Sequence, residues 1–258
     1  MATAQNTLAK AFKALHKPGS PIILTNVYDA PTARAVASLA SAKAIATASL
    51  AVAKAAGFED RHMPKDTNLA AVRVVTAAVK EFNKPVTIDF QDGYGNELEE
   101  AAAELIKAGA VGVNLEDCNK ETKKMYDQEE AVARINKLLA VAKSQGVPDF
   151  VVNARCDALV QGGQLSEAVK RGQAYLAAGA TTVFVWGGSV RGGISRDEVI
   201  ELVKAFDGRL NVSLKLLDGW LTPKQLAELG VARISIGPQL QFAAMEKHKQ
   251  DAEKILQS

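Results

Sequence analysis

The segment AGAVGVNLED, residues 108–117, contains the pattern that decides the fold. An Ala-Gly pair that can end a helix is followed by a small residue and then by a short apolar run. Glycine ends helices in the left-handed conformation, and a run that is apolar on both faces is typical of a buried parallel strand. The same order recurs in AGATTVFVWGG, residues 178–188, and in LGVARISIGP, residues 229–238. The repeat indicates alternating helices and parallel strands.

Runs of this kind predict eight strands, at residues 22–26, 44–47, 86–90, 112–116, 150–154, 182–186, 211–215 and 233–237. Helical patterns lie between them, at 31–39, 68–81, 97–107, 129–143, 166–177, 196–205 and 223–228. A further helix over 4–16 precedes the first strand, and another over 239–256 follows the last. Eight β–α units in this length predict one domain, residues 1–258, folded as a (β/α)₈ TIM barrel. An open doubly wound sheet is the alternative.

The composition argues against several classes of protein. The chain is 48% hydrophobic and 23% charged, its net charge is +2, and neither sign forms a long run. These values predict no nucleic-acid partner and no membrane anchor, and no stretch reaches membrane-spanning length. The first 17 residues lack the apolar core of a signal peptide, so we expect a cytoplasmic protein. The absence of acidic residues from 2–17 leaves organelle targeting as the weaker alternative.

Acidic residues end neighbouring strands of the predicted barrel. Asp89 and Glu116 end the third and fourth strands, and Asp60 lies in the loop after the second. Active sites of such barrels lie at the carboxyl ends of the strands, where these carboxylates would repel one another without a cation. Oxygen ligands without His or Cys favour Mg²⁺ or Mn²⁺. Arg155, after the fifth strand, has the fork geometry that binds a carboxylate or phosphonate.

Structural roles are the alternative explanation for several of these side chains. An aspartate after a strand is more often a helix cap or loop ligand than a metal ligand, which applies to Asp92, Asp117 and Asp157. Arg155 could form a permanent salt bridge with Asp157 or Glu116.

Three segments resemble signatures of the isocitrate lyase/phosphoenolpyruvate mutase superfamily. They are DFQDGYGN at 89–96, VNLED at 113–117 and NARCDA at 153–158. Further similar segments lie at 28–30, 47–60 and 229–240, so the resemblance covers nearly the whole chain. It implies a Mg²⁺-dependent enzyme that acts on small 2-oxo or 2-hydroxy carboxylic acids through an enolate or oxyanion. It also implies a homodimer or homotetramer in which the last helix is swapped between subunits.

The resemblance also assigns roles to individual residues. Asp89 would bind the metal directly, and the other residues assigned to the metal are Asp60, Gln91 and Glu116. The residues assigned to substrate binding are Tyr28, Ser49, Leu50, Asp89 and Arg155. The residues assigned to catalysis are Asp60, Glu116 and Arg155.

Two departures from the superfamily pattern affect the expected reaction. Gln91 stands where many members have a second acid, and the loop NKETKKMYD, residues 119–127, lacks the Cys and His of the lyases and the gate residues of the mutase. We expect the longer loop from Glu116 to Asp127 to be mobile without ligand and to close over a bound substrate. The leading hypothesis is a carbon–carbon bond-cleaving lyase or hydrolase. The alternatives are a phosphonopyruvate-type mutase or hydrolase, and a catalytically weak homologue that binds a metabolite.

Overall fold

A computed structural model describes residues 3–258 as a barrel of parallel strands surrounded by helices. The strands are β1 (Ile22–Leu24), β2 (Asn26–Val27), β3 (Ile45–Thr47), β4 (Val86–Asp89), β5 (Gly112–Glu116), β6 (Val151–Cys156), β7 (Thr182–Val185), β8 (Leu210–Ser213) and β9 (Arg233–Ser235). The helices are α1 (Ala4–Ala14), α2 (Ala30–Ala37), α3 (Ser49–Ala55), α4 (Lys65–Val79), α5 (Leu98–Lys107), α6 (Gln128–Ser144), α7 (Leu165–Ala177), α8 (Arg196–Ala205), α9 (Pro223–Glu228) and α10 (Gln239–Leu256).

The first predicted strand is interrupted at Thr25, and its two parts pair with different neighbours. The part before Thr25 is β1, which pairs with β9, and the part after it is β2, which pairs with β3. The remaining strands pair in sequence order, all in parallel. The first strand therefore joins the last strand to the second, which nearly closes the barrel. This arrangement confirms the predicted (β/α)₈ class and excludes the open sheet.

One helix was missing from the sequence prediction. The structure contains α3 directly after β3, whereas the pattern predicted no helix between residues 39 and 68. This helix has only seven residues, and its N-cap position is Ala48, which provides no capping side chain. Short length and the missing cap explain why the helix gives a weak signal. The strand predicted at 211–215 is also displaced, because β8 ends at Ser213 and leaves Lys215 outside it.

The apolar core lies between the strands and the helices, and α1 extends it at the amino end of the barrel. Phe12 of α1 is completely buried. A β-carbon at Gly112 would lie 2.8 Å from the Val151 carbonyl oxygen and 3.1 Å from the Phe12 ring. The absence of a side chain at Gly112 therefore lets α1 pack close to β5 and β6. Among residues 3–258, no helix is long and apolar enough to cross a membrane.

Candidate metal and substrate site

A cavity of about 200 Å³ opens at the carboxyl ends of the strands. Its lining includes five residues that the sequence predicted for the site, namely Ser49, Leu50, Asp60, Asp89 and Arg155. Other polar residues in the lining are Asn26, Thr47, Thr87, Asn114, Asn153, Asn211, Ser213, Arg233 and Ser235. The predicted residues Tyr28, Gln91 and Glu116 lie outside this lining. The barrel therefore brings together most of the proposed site and adds a polar interior below it.

The Asp89 carboxylate is held from two sides. Its Oδ2 accepts a hydrogen bond of 2.8 Å from the backbone N–H of Ser49, the first residue of α3. Its Oδ1 accepts a hydrogen bond of 3.0 Å from Nδ2 of Asn114 on the neighbouring strand. A carboxylate offers about four acceptor positions, so two bonds orient the group and leave lone pairs for another ligand.

A chain of buried hydrogen bonds extends from Asp89 across the barrel interior. Asn153 donates from Nδ2 to Oδ1 of Asn114 at 2.7 Å. The Thr182 hydroxyl donates to Oδ1 of Asn153, also at 2.7 Å. All three polar residues are buried, so breaking any of these bonds leaves an unsatisfied polar group. The chain fixes the position of Asp89 from groups as far away as β7. Sequence reasoning gave Asn114 and Thr182 no role in the site.

Asp60 and Gln91 form a second unit at the rim of the cavity. Nε2 of Gln91 donates to the backbone oxygen of Asp60 at 2.7 Å and to its Oδ1 at 3.0 Å. Oε1 of Gln91 accepts a hydrogen bond of 3.0 Å from Nζ of Lys120 in the 119–127 loop. Burial raises the pKa of Asp60, and the charge of Asp89 raises it further. Gln91 thus positions Asp60 and connects it to the loop.

Arg155 is paired on three sides and still faces the cavity. Its Nε and Nη2 donate to the two carboxylate oxygens of Asp157 at 2.7 and 2.9 Å, and its Nη1 donates to Glu116 at 2.9 Å. The plane of the guanidinium lies 4.0 Å from the ring centroid of Trp186. Burial opposes the charged form, but the carboxylates of Asp157 and Glu116 outweigh it and raise the pKa of Arg155. The salt bridge proposed as the structural alternative is present. Because the guanidinium has five N–H donors, two remain for another acceptor.

Glu116 lies beside Arg155, outside the lining of the main cavity. Burial raises its pKa well above the usual value, and Arg155 lowers it in part. The charges of Asp157, Asp89 and Asp60 raise it again, so Glu116 belongs electrostatically to the same acidic group.

Tyr28 and the 119–127 loop lie at the edge of the site. Tyr28 packs against a small apolar cluster that contains Val52 and Met63. In the loop, Lys120 donates to the backbone oxygen of Met63 at 2.6 Å, and the Tyr126 hydroxyl donates to Asp92 at 2.8 Å. These bonds connect the loop to the segment around Met63 and to the turn that follows β4, beside the site.

The donor set fits a hard cation held by few direct protein ligands. Within residues 3–258, no three His, Cys, Asp or Glu side chains converge closely enough to hold a metal by themselves. Asp60, Asp89 and Glu116 nevertheless interact through their charges, and each ligand atom they offer is oxygen. Mg²⁺ commonly keeps several waters and binds through one or two carboxylates. A hydrated Mg²⁺ on Asp89, with Asp60 and Glu116 holding its waters, is consistent with this geometry.

The fold is a barrel with acidic residues at its mouth, and comparisons with known proteins identify the family to which the chain belongs. The phosphoenolpyruvate phosphomutase family model matches residues 12–256. The chain therefore belongs to this family, within the phosphoenolpyruvate mutase/isocitrate lyase superfamily.

Two similar proteins cover most of the chain. An uncharacterised protein of Mycobacterium tuberculosis (strain H37Rv) is 34% identical over 231 residues, which are 88% of this chain and 81% of the relative. A crystal structure from Burkholderia cenocepacia J2315, provisionally assigned as a phosphonomutase, has a TM-score of 0.86 and 35% identity. That match covers 97% of this chain and 99% of the Burkholderia chain.

Relatives with named activities match shorter parts of the chain in sequence, although one of their structures covers nearly all of it. Phosphonopyruvate hydrolase of Variovorax sp. (strain Pal2) is 30% identical over 156 residues, 57% of this chain and 51% of the relative. A structure of phosphonopyruvate hydrolase with oxalate and Mg²⁺ has a TM-score of 0.84 and 24% identity, over 98% of this chain and 87% of that one. 2-Methylisocitrate lyase of Escherichia coli (strain K12) is 37% identical over 110 residues, 39% of this chain and 36% of the relative.

Proposed function

We propose that the protein is a Mg²⁺-dependent enzyme that cleaves a carbon–carbon bond in a small 2-oxo or 2-hydroxy carboxylic acid. The observation that carries the proposal is the meeting of Asp60, Asp89 and Arg155 in one cavity at the barrel mouth. The carboxylates fit a hydrated divalent cation, and the arginine fits a substrate carboxylate. The relative 2-methylisocitrate lyase supports the same class.

Each residue of the candidate site has a physical task in this proposed reaction. Asp89, oriented by Ser49 and Asn114, would hold the cation, and Asp60 would hold its hydration shell. Bound Mg²⁺ supplies positive charge that stabilises an enolate or oxyanion. The two free N–H groups of Arg155 bind the substrate carboxylate, while Asp157 and Trp186 keep the guanidinium in place. Closure of the 119–127 loop excludes water.

Two alternatives have their own support. Carbon–phosphorus bond cleavage is favoured by the phosphonopyruvate hydrolase relative, and the same cation and arginine would bind a phosphonate. Binding without turnover is favoured by Gln91, whose amide oxygen is engaged by Lys120 and adds no charge to the site. The three functions differ in products, so one screen separates them.

The test is a screen of oxaloacetate, alkylmalates, methylisocitrate and phosphonopyruvate with Mg²⁺, in which products are identified by mass spectrometry. Release of a smaller carboxylic acid supports the proposal, and release of inorganic phosphate supports phosphonate chemistry. Calorimetric binding of these acids with no product would support the metabolite-binding alternative.

A matched pair of variants tests the metal assignment. Asp89→Asn removes the charge but keeps the shape of the side chain, and it should reduce Mg²⁺ affinity and turnover by more than about tenfold, or about 1.4 kcal/mol. Asp92→Asn is the same change three residues along, at a carboxylate that accepts from Tyr126 outside the main cavity. It should leave Mg²⁺ affinity within about twofold of the wild-type value. Equal losses in both variants would contradict the assignment of Asp89.

A further inference from the structure

Arg233 is a cation inside the barrel that forms no salt bridge with any carboxylate among the described residues. Arg233 begins β9 and is only 3% exposed. It lines the inner end of the cavity, whereas Gly237, which follows β9, lines the mouth. Within residues 3–258, its side chain makes one polar contact, from Nη1 to Nε2 of His16 at 3.4 Å. Its Nε is buried and has no hydrogen-bond partner.

The neighbouring histidine cannot neutralise this charge. Nδ1 of His16 lies 2.9 Å from the Phe12 carbonyl oxygen and therefore carries the proton, which leaves Nε2 as an acceptor for Arg233. Burial and the charge of Arg233 lower the pKa of His16 to about 3, so its ring is neutral at pH 7. Burial lowers the pKa of Arg233 to about 9, and the guanidinium is still protonated at pH 7. An isolated buried charge is unfavourable without a partner of opposite sign.

Other polar groups of the same cavity also lack good partners. The Thr87 hydroxyl is buried and has no hydrogen-bond partner within the described part of the chain. Asn211 and Ser235 contact each other only at 3.3–3.4 Å. All of these residues line the cavity together with Arg233. The inner end of the cavity thus combines a positive charge with unused hydrogen-bonding groups, whereas the mouth carries Asp60 and Asp89.

We propose that Arg233, with Thr87 and Asn211, forms an anion site at the inner end of the cavity. Its ligand is a small carboxylate-like anion, which is either a second carboxylate of the substrate or a free inorganic anion. The inference that the substrate supplies this anion rests on the proposed function, whereas the existence of the anion site does not. A cavity that binds a divalent cation at its mouth and an anion at Arg233 would select an acid with a carboxylate distant from its reacting carbon.

Bromide is the probe for the site itself. Crystals of the wild-type protein soaked in sodium bromide should show an anomalous peak in contact with the Arg233 guanidinium. In solution, each tenfold increase in bromide above its dissociation constant should raise the folding equilibrium constant about tenfold beyond the general salt effect. Arg233→Met should lose this increment. Arg73→Met is the matched control, since Arg73 is exposed on α4 and pairs with Glu104 on the surface, and it should keep the increment.

Two further measurements distinguish the source of the anion and protect against a misfolded variant. If the substrate supplies the anion, Arg233→Met raises KM for a dicarboxylate at least tenfold and bromide inhibits competitively. If the anion is inorganic, bromide binds but neither effect occurs. Arg233→Lys keeps the charge and should retain bromide binding if the methionine variant does not fold. Absence of a bromide peak, together with equal bromide effects in wild type and Arg233→Met, would show that Arg233 serves only as a distant counter-charge to Asp89.

Discussion

Replacement of Arg155 by lysine separates the structural role of this residue from its role in binding. The substitution keeps one positive charge at the cavity wall but removes the planar fork. In the native protein the fork makes two bonds to Asp157 and one to Glu116, and it stacks on Trp186. A single ammonium group cannot reproduce this set of contacts.

The expected loss of stability follows from the buried pairs. Complete removal of one partner from a buried ion pair costs about 3–5 kcal/mol. Lysine can keep one of the three charge-assisted bonds, each worth about 1.5–3 kcal/mol. Since Asp157 and Glu116 stay buried near a retained charge, we expect a net loss of about 2–3 kcal/mol. In a protein of this size, that loss lowers Tm by about 4–12 °C.

The effect on binding should be separate from this loss of stability. If the two free N–H groups of Arg155 bind a substrate carboxylate, the lysine variant loses at least one charge-assisted bond to it. KM should rise about 10- to 100-fold, with Mg²⁺ affinity close to the wild-type value. Steady-state kinetics below the Tm of the variant, calorimetric Mg²⁺ titration and thermal unfolding together measure the three quantities.

Arg171→Lys is the control for a purely structural effect. Arg171 is also a poorly exposed arginine paired with acids, Asp117 and Glu167, but it does not line the cavity. It should lower Tm without changing KM. A lysine variant of Arg155 with lower Tm and wild-type kinetics would refute substrate binding by this residue and leave only the salt bridge.

Three further predictions concern other parts of the molecule. Gln91→Glu removes the donor to Asp60 and adds a negative charge, so it should lower the stability of the metal-free protein. It should also tighten Mg²⁺ binding at least about tenfold by calorimetry. An unchanged affinity would place the new charge away from the cation. The pKa of His16 is about 3 in the folded protein and about 6.5 in an unfolded chain, so its contribution to stability is present above pH 6.5 and lost as pH falls towards 3. Between pH 7 and pH 5 the wild type should therefore lose about 2 kcal/mol more unfolding free energy than His16→Gln in urea titrations. Equal losses in the two proteins would contradict a neutral His16. Helix α10 exposes Phe242 and Met245, so glutamate at both positions should dissociate the expected dimer or tetramer in light scattering, and an unchanged mass would show that this face is no subunit contact.

The strands were predictable because each is a local signal. The run at 112–116 has the same bounds in the structure as in the prediction, since glycine, apolar residues and a terminal acid lie together in the sequence. The carboxyl-end positions of Asp89 and Arg155 followed from that signal, and both residues line the cavity. In contrast, α3 is too short and too weakly capped to be recognised, although its first N–H orients Asp89.

The role of the inner cavity was not predictable for a different reason. Asn114 and Arg233 lie on strands whose inward and outward faces are decided only when the barrel closes. An arginine at the start of a strand is usually assigned to the surface, and nothing near residue 233 in the sequence indicates that its guanidinium will contact His16. The contact of Gln91 with Lys120 likewise depends on the conformation of a loop that the sequence does not determine.

Substitutions in the polar interior and substitutions in the loop should affect this site in different ways. Asp89 is oriented through Asn114 and Asn153 by Thr182, three strands away, so a substitution in the interior alters the metal ligand without touching it. The 119–127 loop reaches the site mainly through Lys120, which contacts Gln91 and the Met63 backbone. Changes in the loop can therefore alter substrate choice while Asp89 keeps its position, because the strands and the first N–H of α3 determine that position. This division predicts that exchange of the loop with that of a relative changes the preferred acid, whereas substitution in the interior chain reduces activity towards every acid.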